Sequence, residues 1–175
     1  MKGLKTVKKV VFTTVGVLYF AFALCMTILL LNRNDYNVTQ FGNTSLIIIT
    51  DDVSIEGYEK GDLVIVESQR ISNLQVGDVL FTYRLDSNKT AHVEIGTIGE
   101  VYPDEESISF ENGDTYSLKF IAGKPTKVIH GIGSVLNIIT SQWGFLFIVL
   151  LPCFLIFIYE IYALIIEIKY GANEE

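Results

Sequence analysis

The stretch Glu59-Lys60-Gly61-Asp62-Leu63-Val64-Ile65-Val66 decides how the middle of this chain folds. A second stretch, Leu74-Gln75-Val76-Gly77-Asp78-Val79-Leu80-Phe81, repeats the plan. In each, Gly permits a positive φ, Asp hydrogen-bonds local backbone, and an apolar run with β-branched residues follows. Each therefore predicts a turn that launches a strand.

Working outward, Ser45 to Thr50, Val79 to Arg84, Val93 to Val101, Ser107 to Glu111 and Tyr116 to Ile121 read as further short strands, beside Leu63 to Glu67. Turn residues such as Tyr102-Pro103-Asp104 and Asn112-Gly113-Asp114 separate them. Val128 to Thr140 is apolar, with Gly131 and Gly133, and reads as a last strand running into a short helix. Asn32 to Asn43 is polar and Asn-rich and reads as a linker. Residues 32–142 are therefore expected to form a mainly β domain, a small barrel or folded sheet.

The two ends differ in kind. Val10 to Leu31 is an unbroken uncharged run. About 20 apolar residues cross a bilayer core, and this run exceeds the roughly 7–15 residues of a signal-peptide core. Residues 10–31 are thus expected to be an uncleaved transmembrane helix. Lys2, Lys5, Lys8 and Lys9 precede it and place residues 1–9 in the cytoplasm by the positive-inside rule. Residues 143–168 read as a second span, entered at Trp143 and kinked at Pro152, with residues 169–175 a cytoplasmic tail. Glu160 and Glu167 lie on one helical face near its end. They read either as the last turns of the span at the interface or as part of an interfacial amphipathic helix after a shorter span. With two spans, both termini are cytoplasmic and the β domain is extracytoplasmic, on the plasma membrane or the endoplasmic reticulum.

Half of the 175 residues are hydrophobic and the net charge is −7. Such an acidic balance argues against nucleic acid as a partner. Membrane lipid is the partner expected from the two spans. Cys25 and Cys153 both fall inside the spans, so no disulfide framework is expected in the β domain. With two histidines and no ligand spacing, neither a metal site nor a cofactor is expected. Asn37-Val38-Thr39, Asn43-Thr44-Ser45 and Asn88-Lys89-Thr90 fit the glycosylation pattern.

The order of these features resembles the signal peptidase I superfamily, more narrowly its ER-type branch found in archaea, eukaryotes and some Gram-positive bacteria. That family runs from an anchor to an apolar strand, Ser-Met-x-Pro, Gly-Asp opening a strand, Val-Gly-Asp-Val/Ile, His-Arg, a Gly-Asp-Asn stretch and often a C-terminal span. The matching pieces are Leu46-Ile47-Ile48-Ile49, Gly61-Asp62-Leu63-Val64-Ile65-Val66, Val76-Gly77-Asp78-Val79, His92 and Asn112-Gly113-Asp114. The resemblance implies a signal-peptidase-like β domain and a membrane-bound serine endopeptidase that cleaves signal peptides of secretory precursors at the outer membrane face. A secretory precursor or surface protein is then the expected substrate, and translocon or other envelope subunits are expected neighbours.

The departures fall at the chemistry. The family serine stands eight residues before the Gly of Gly-Asp, and that count from Gly61 reaches Val53. A one-residue deletion instead aligns Ser54-Ile55-Glu56-Gly57 with Ser-Met-Glu-Pro, keeping the hydroxyl and losing the proline. Asp51-Asp52 replaces the small pair that usually precedes the nucleophile, and Val93 replaces the Arg after His92.

The resemblance thus makes Ser54 the candidate nucleophile, His92 its base and Asp114 the orienting carboxylate, with Asp78 a looser alternative. A hydroxyl needs such a base within about 3 Å, and a carboxylate fixes the imidazole tautomer. Asp51 and Asp52 oppose this, because a negative charge raises the energy of a nearby oxyanion. Against these roles stand plainer ones: Ser54 a solvated loop serine, His92 a strand residue, Asp114, Asp62 and Asp78 turn-formers, and His130 structural. Two readings stay open, an active peptidase and a degenerate relative that keeps the substrate-binding sheet as an accessory or chaperone. A third is an unrelated membrane-tethered β module.

Overall fold

The computed structural model describes residues 2–85 and 91–171. It divides into two compact units, one of residues 29–137 and one built from the two ends of the chain. Asn88 of the third glycosylation triplet and most of the tail at 169–175 lie outside the described residues.

Residues 29–137 hold a curled antiparallel sheet, eight-stranded among the described residues. Its strands are β1 (Thr39–Phe41), β2 (Thr44–Ile48), β3 (Leu63–Glu67), β4 (Val79–Leu85), β5 (Ala91–Tyr102), β6 (Ser107–Phe110), β7 (Thr115–Ser117) and β8 (Ile121–Ile129). The spatial order is β1-β2-β3-β8-β4-β5-β6-β7. β8 leaves the meander of β4 to β7 and returns between β3 and β4, which joins the two halves.

The two Gly-Asp steps form the same turn. Asp62 N–H donates to Glu59 O and Asp78 N–H to Gln75 O, each at 3.1 Å. Gly61 has φ 91° and Gly77 φ 88°, the third position of a type II turn. Each Asp carboxylate reaches back to the backbone N–H three residues earlier, Glu59 at 2.9 Å and Gln75 at 2.7 Å. Each turn then feeds its strand, as the sequence predicts.

Why the sheet curls is visible on β4, where Leu80, Phe81, Thr82 and Tyr83 are all buried. Successive residues of a strand face opposite sides. Phe81 and Tyr83 join one core with Ile47, Ile49, Val64, Val66 and Ala122. Leu80 joins a second with Leu74, Ile98, Ile108, Phe110 and Ile121. β8 divides likewise, Ile121 to one core and Ala122 to the other. A sheet buried on both faces at its centre must wrap, and the result is a half-barrel.

Three stretches depart from the sequence reading. Tyr116 to Ile121 is not one strand but the end of β7, a short 3-10 turn over Leu118–Phe120 and the first residue of β8. Thr39–Phe41, within the expected linker, pairs with β2. The last strand begins at Ile121 rather than near Val128 and contains Pro125. Proline cannot donate to a ladder, so it sits where the β3–β8 register shifts between Ile65 and Val66. Thr126 Oγ1 donates to the Ile65 carbonyl there at 3.0 Å.

The ends form α1 (Lys2–Leu31), the short turns α3 (Gln142–Gly144), and a long α4 (Leu151–Gly171); α2 (Ile132–Thr140) precedes α3. Two helical stretches, Thr13–Leu31 and Gln142–Ile166, are long and apolar enough to cross a membrane. Phe145–Leu150 winds as a wide π turn just before Pro152. Proline has no N–H for the carbonyl four residues back, and the wide turn accommodates it. Glu160 and Glu167 lie on one continuous helix, with no break between a span and a separate amphipathic piece.

Candidate functional site

The loop from Ile49 to Asp62 and the first half of β5 enclose an open cleft of about 590 Å³. It is lined by Asp51 to Ile55 from the loop and by Arg84 and His92 to Ile95 from the β4–β5 hairpin. Ser54 and His92, far apart in sequence, therefore share one site. The register that delivers His92 pairs it with Arg84.

Val53 and Ser54 differ in burial, the first half-buried and the second exposed. Val53 packs against the first core beside Val93 and Ile95. Ser54 is exposed, and among the described residues its hydroxyl makes no hydrogen bond. An apolar side chain thus occupies the position reached by counting back from Gly61. The neighbouring hydroxyl faces water.

The electrostatics of the cleft are acidic. Asp51 and Asp52 are exposed beside Ser54. Glu94 stands two residues after His92, on the same strand face. One Glu94 oxygen lies 3.6 Å from Arg84, and the other accepts from the Tyr116 hydroxyl. Burial and then the hydrogen bond to Glu94 push the Tyr116 phenol up to about 12. Glu94 is thus a positioned anion. Sequence reading missed it; its only signal is the alternation that places it beside His92.

The remaining candidates lie in turns. Asp114 is not among the cleft-lining residues, and its carboxylate accepts from Asn112 Nδ2 at 2.9 Å. Asp78 pairs with Lys124 at 2.5 Å; that bond, against burial and aided by the Gln75 N–H, holds its carboxyl below the usual range. Asp62 is buried, and its carboxylate meets His130 Nδ1 at 3.0 Å and accepts from Gly131 N–H at 3.2 Å. His130 is therefore a structural partner of a turn aspartate.

The cleft also exposes backbone. β5 pairs with β4 over Ala91 to Thr97, but with β6 only from Ile98 onward. Among the described residues, the edge of Val93 to Gly96 away from β4 has no ladder partner. β2 pairs with β1 only from Thr44 to Leu46, which among the described residues leaves the outer edge of Ile48 similarly open, Ile47 being fully buried. Ile48 and Ile49 at the end of β2 and Val93 and Ile95 of β5 together line a small hollow of about 20 Å³ beside the cleft. Open strand edges accept an extended chain by strand addition.

Comparisons of this chain with family models, with curated proteins and with solved structures find no match.

Proposed function

We propose that this chain is a membrane-tethered β module that holds an extended peptide segment in the Ser54–His92 cleft without cutting it. Its role would be that of an accessory or chaperone in secretion or surface-protein assembly, as a catalytically degenerate relative of signal peptidase I. One observation carries the reading: Val53, at the position the family spacing reaches from Gly61, packs half-buried against the core, while Ser54 is exposed and among the described residues its hydroxyl makes no hydrogen bond. A hydroxyl without a hydrogen bond is not activated, and Asp51 and Asp52 beside it oppose an oxyanion. The open edges of β5 and β2 still supply a binding surface.

The topology proposed is two-pass. The four N-terminal lysines support a cytoplasmic N-terminus. Two spans then return the C-terminus to the same side and leave the β domain outside, where small residues of a signal segment emerge from the bilayer.

A second reading, the serine endopeptidase with Ser54 as nucleophile and His92 as base, is favoured by the shared cleft alone. The experiment separates the two. Full-length protein in detergent is given a fluorescent secretory precursor peptide, beside Ser54→Ala and His92→Ala. Binding without cleavage supports the accessory role. Cleavage abolished by both substitutions transfers the assignment to the peptidase. Neither binding nor cleavage across a set of precursors sinks both.

A further inference from the structure

The helix α2 carries an apolar stripe whose centre is exposed. Ile132, Val135 and Ile138 recur every third residue and are 48%, 57% and 63% exposed. Leu136 and Ile139 flank them, half-buried. Gly133, Ser134, Asn137 and Thr140 occupy the other side. At 100° per residue the five apolar side chains fall within one arc, opposite Asn137.

Chain continuity says what covers the stripe. α2 ends at Thr140, and the apolar stretch Gln142–Ile166 begins two residues later. Trp143, 67% exposed, stands at that junction, as aromatic residues do at a membrane–water boundary. We infer that α2 is a membrane-surface helix whose Ile132–Val135–Ile138 face seats in the headgroup boundary of the bilayer. This rests on the reading that Gln142–Ile166 crosses that bilayer.

α2 carries no charged residue, so its seat depends on apolar burial and a neutral lipid suffices. Its other side is fixed to the β domain. Ser134 N–H donates to the Gly61 carbonyl at 3.1 Å, and Gly131 N–H to the Asp62 carboxylate. Gly133 passes so close that an added Cβ would lie 2.6 Å from the Asp62 carbonyl oxygen. A seated α2 therefore holds at the lipid surface the turn that ends the cleft loop, which suits a segment presented at the membrane.

The test uses the full chain in phosphatidylcholine vesicles, with Cys25→Ser and Cys153→Ser removing the native thiols. A polarity-sensitive fluorophore is attached at Val135→Cys, at Asn137→Cys, or at Phe154→Cys inside the second apolar stretch. Quenching by a lipid with a shallow nitroxide is expected to be about twofold or more stronger at 135 than at 137. Equal quenching at 135 and 137, with 154 quenched by a deep nitroxide, overturns the inference and leaves the span intact. An unquenched 154 removes the span itself, and the inference with it. A disulfide-linked dimer of the unlabelled Val135→Cys protein, with no lipid quenching of the labelled one, gives the face to a second copy, which also overturns it.

Discussion

The Asp62 carboxylate and the Gly131 backbone N–H meet at 3.2 Å across 69 residues of chain. The same carboxylate accepts from Glu59 N–H and pairs with His130, yet Asp62 is only 2% exposed. One side chain thus closes its own turn, the end of the cleft loop and the start of α2. A buried carboxylate with three partners is stable; one that loses its charge leaves donors unmet.

Asp62→Ala is expected to cost about 1–3 kcal/mol, because the Glu59 and Gly131 N–H groups lose their acceptor. The pH dependence follows from the same contacts. Burial pushes the carboxyl up, but the hydrogen bonds from Glu59, Gly131 and His130, with the attraction of a protonated His130, outweigh it and hold its pKa below the ordinary value. A depressed folded value means the stabilisation is complete above the unfolded pKa of about 3.9 and is lost as pH falls through the folded one. Thermal unfolding in detergent from about pH 6 to about pH 3 should show a steeper acid loss in the parent than in Asp62→Ala. Parallel profiles would remove Asp62 from this role.

Gly123→Ala is expected to be among the most damaging single changes in the β domain. Gly123 has φ 136°, and an added Cβ would overlap the Glu67 backbone carbonyl. It sits where β8 passes between β3 and β4, paired with Phe81. Strain and a backbone clash together suggest a loss of about 3 kcal/mol or more. Denaturant unfolding followed by Trp-independent far-UV dichroism measures it, and a loss under about 1 kcal/mol contradicts the packing described.

What was legible in the sequence was the local chemistry. Gly61-Asp62 and Gly77-Asp78 announce their turns because Gly and Asp act within four residues. The start of β8 was not legible, since Gly123-Lys124-Pro125 reads as a breaker and becomes strand only through distant β3 and β4. Thr39–Phe41 was hidden in the same way, extended by pairing with β2 rather than by propensity. In the site, counting from Gly61 brought both Val53 and Ser54 into question. Which of them faces water depends on a core built from residues far along the chain. The link between Glu94 and Tyr116 spans 22 residues and exists only once β5, β6 and β7 fold back as a meander.

Tyr19→Phe is expected to loosen the pairing of the two apolar ends. Pro152 cannot donate to the Ile148 carbonyl, and the Tyr19 hydroxyl lies 2.9 Å from that oxygen and 2.8 Å from the Val149 carbonyl. In a bilayer a freed carbonyl has no water to turn to, so this donor replaces the missing one. The measured worth of such intramembrane bonds implies a loss of about 0.5–1.5 kcal/mol. Steric-trap unfolding in bicelles is the measurement, with the exposed Tyr162→Phe as a comparison expected to change little. Equal effects of the two substitutions would deny the Tyr19 bond any special part.

The last prediction concerns how a segment would lie in the cleft. An added strand donates only every second backbone N–H to its neighbour, the others pointing away. Peptides carrying one N-methyl group at successive positions should therefore alternate in affinity. Methylation at a donating position removes a hydrogen bond and adds a clash, an effect of about tenfold or more. Methylation at its neighbour is expected to change affinity by less than about threefold. Fluorescence anisotropy with the full chain in detergent reads the series. Alternation places the segment on the open edge of β5 or β2, whereas a uniform response means that side chains alone hold it and that the edges are not used.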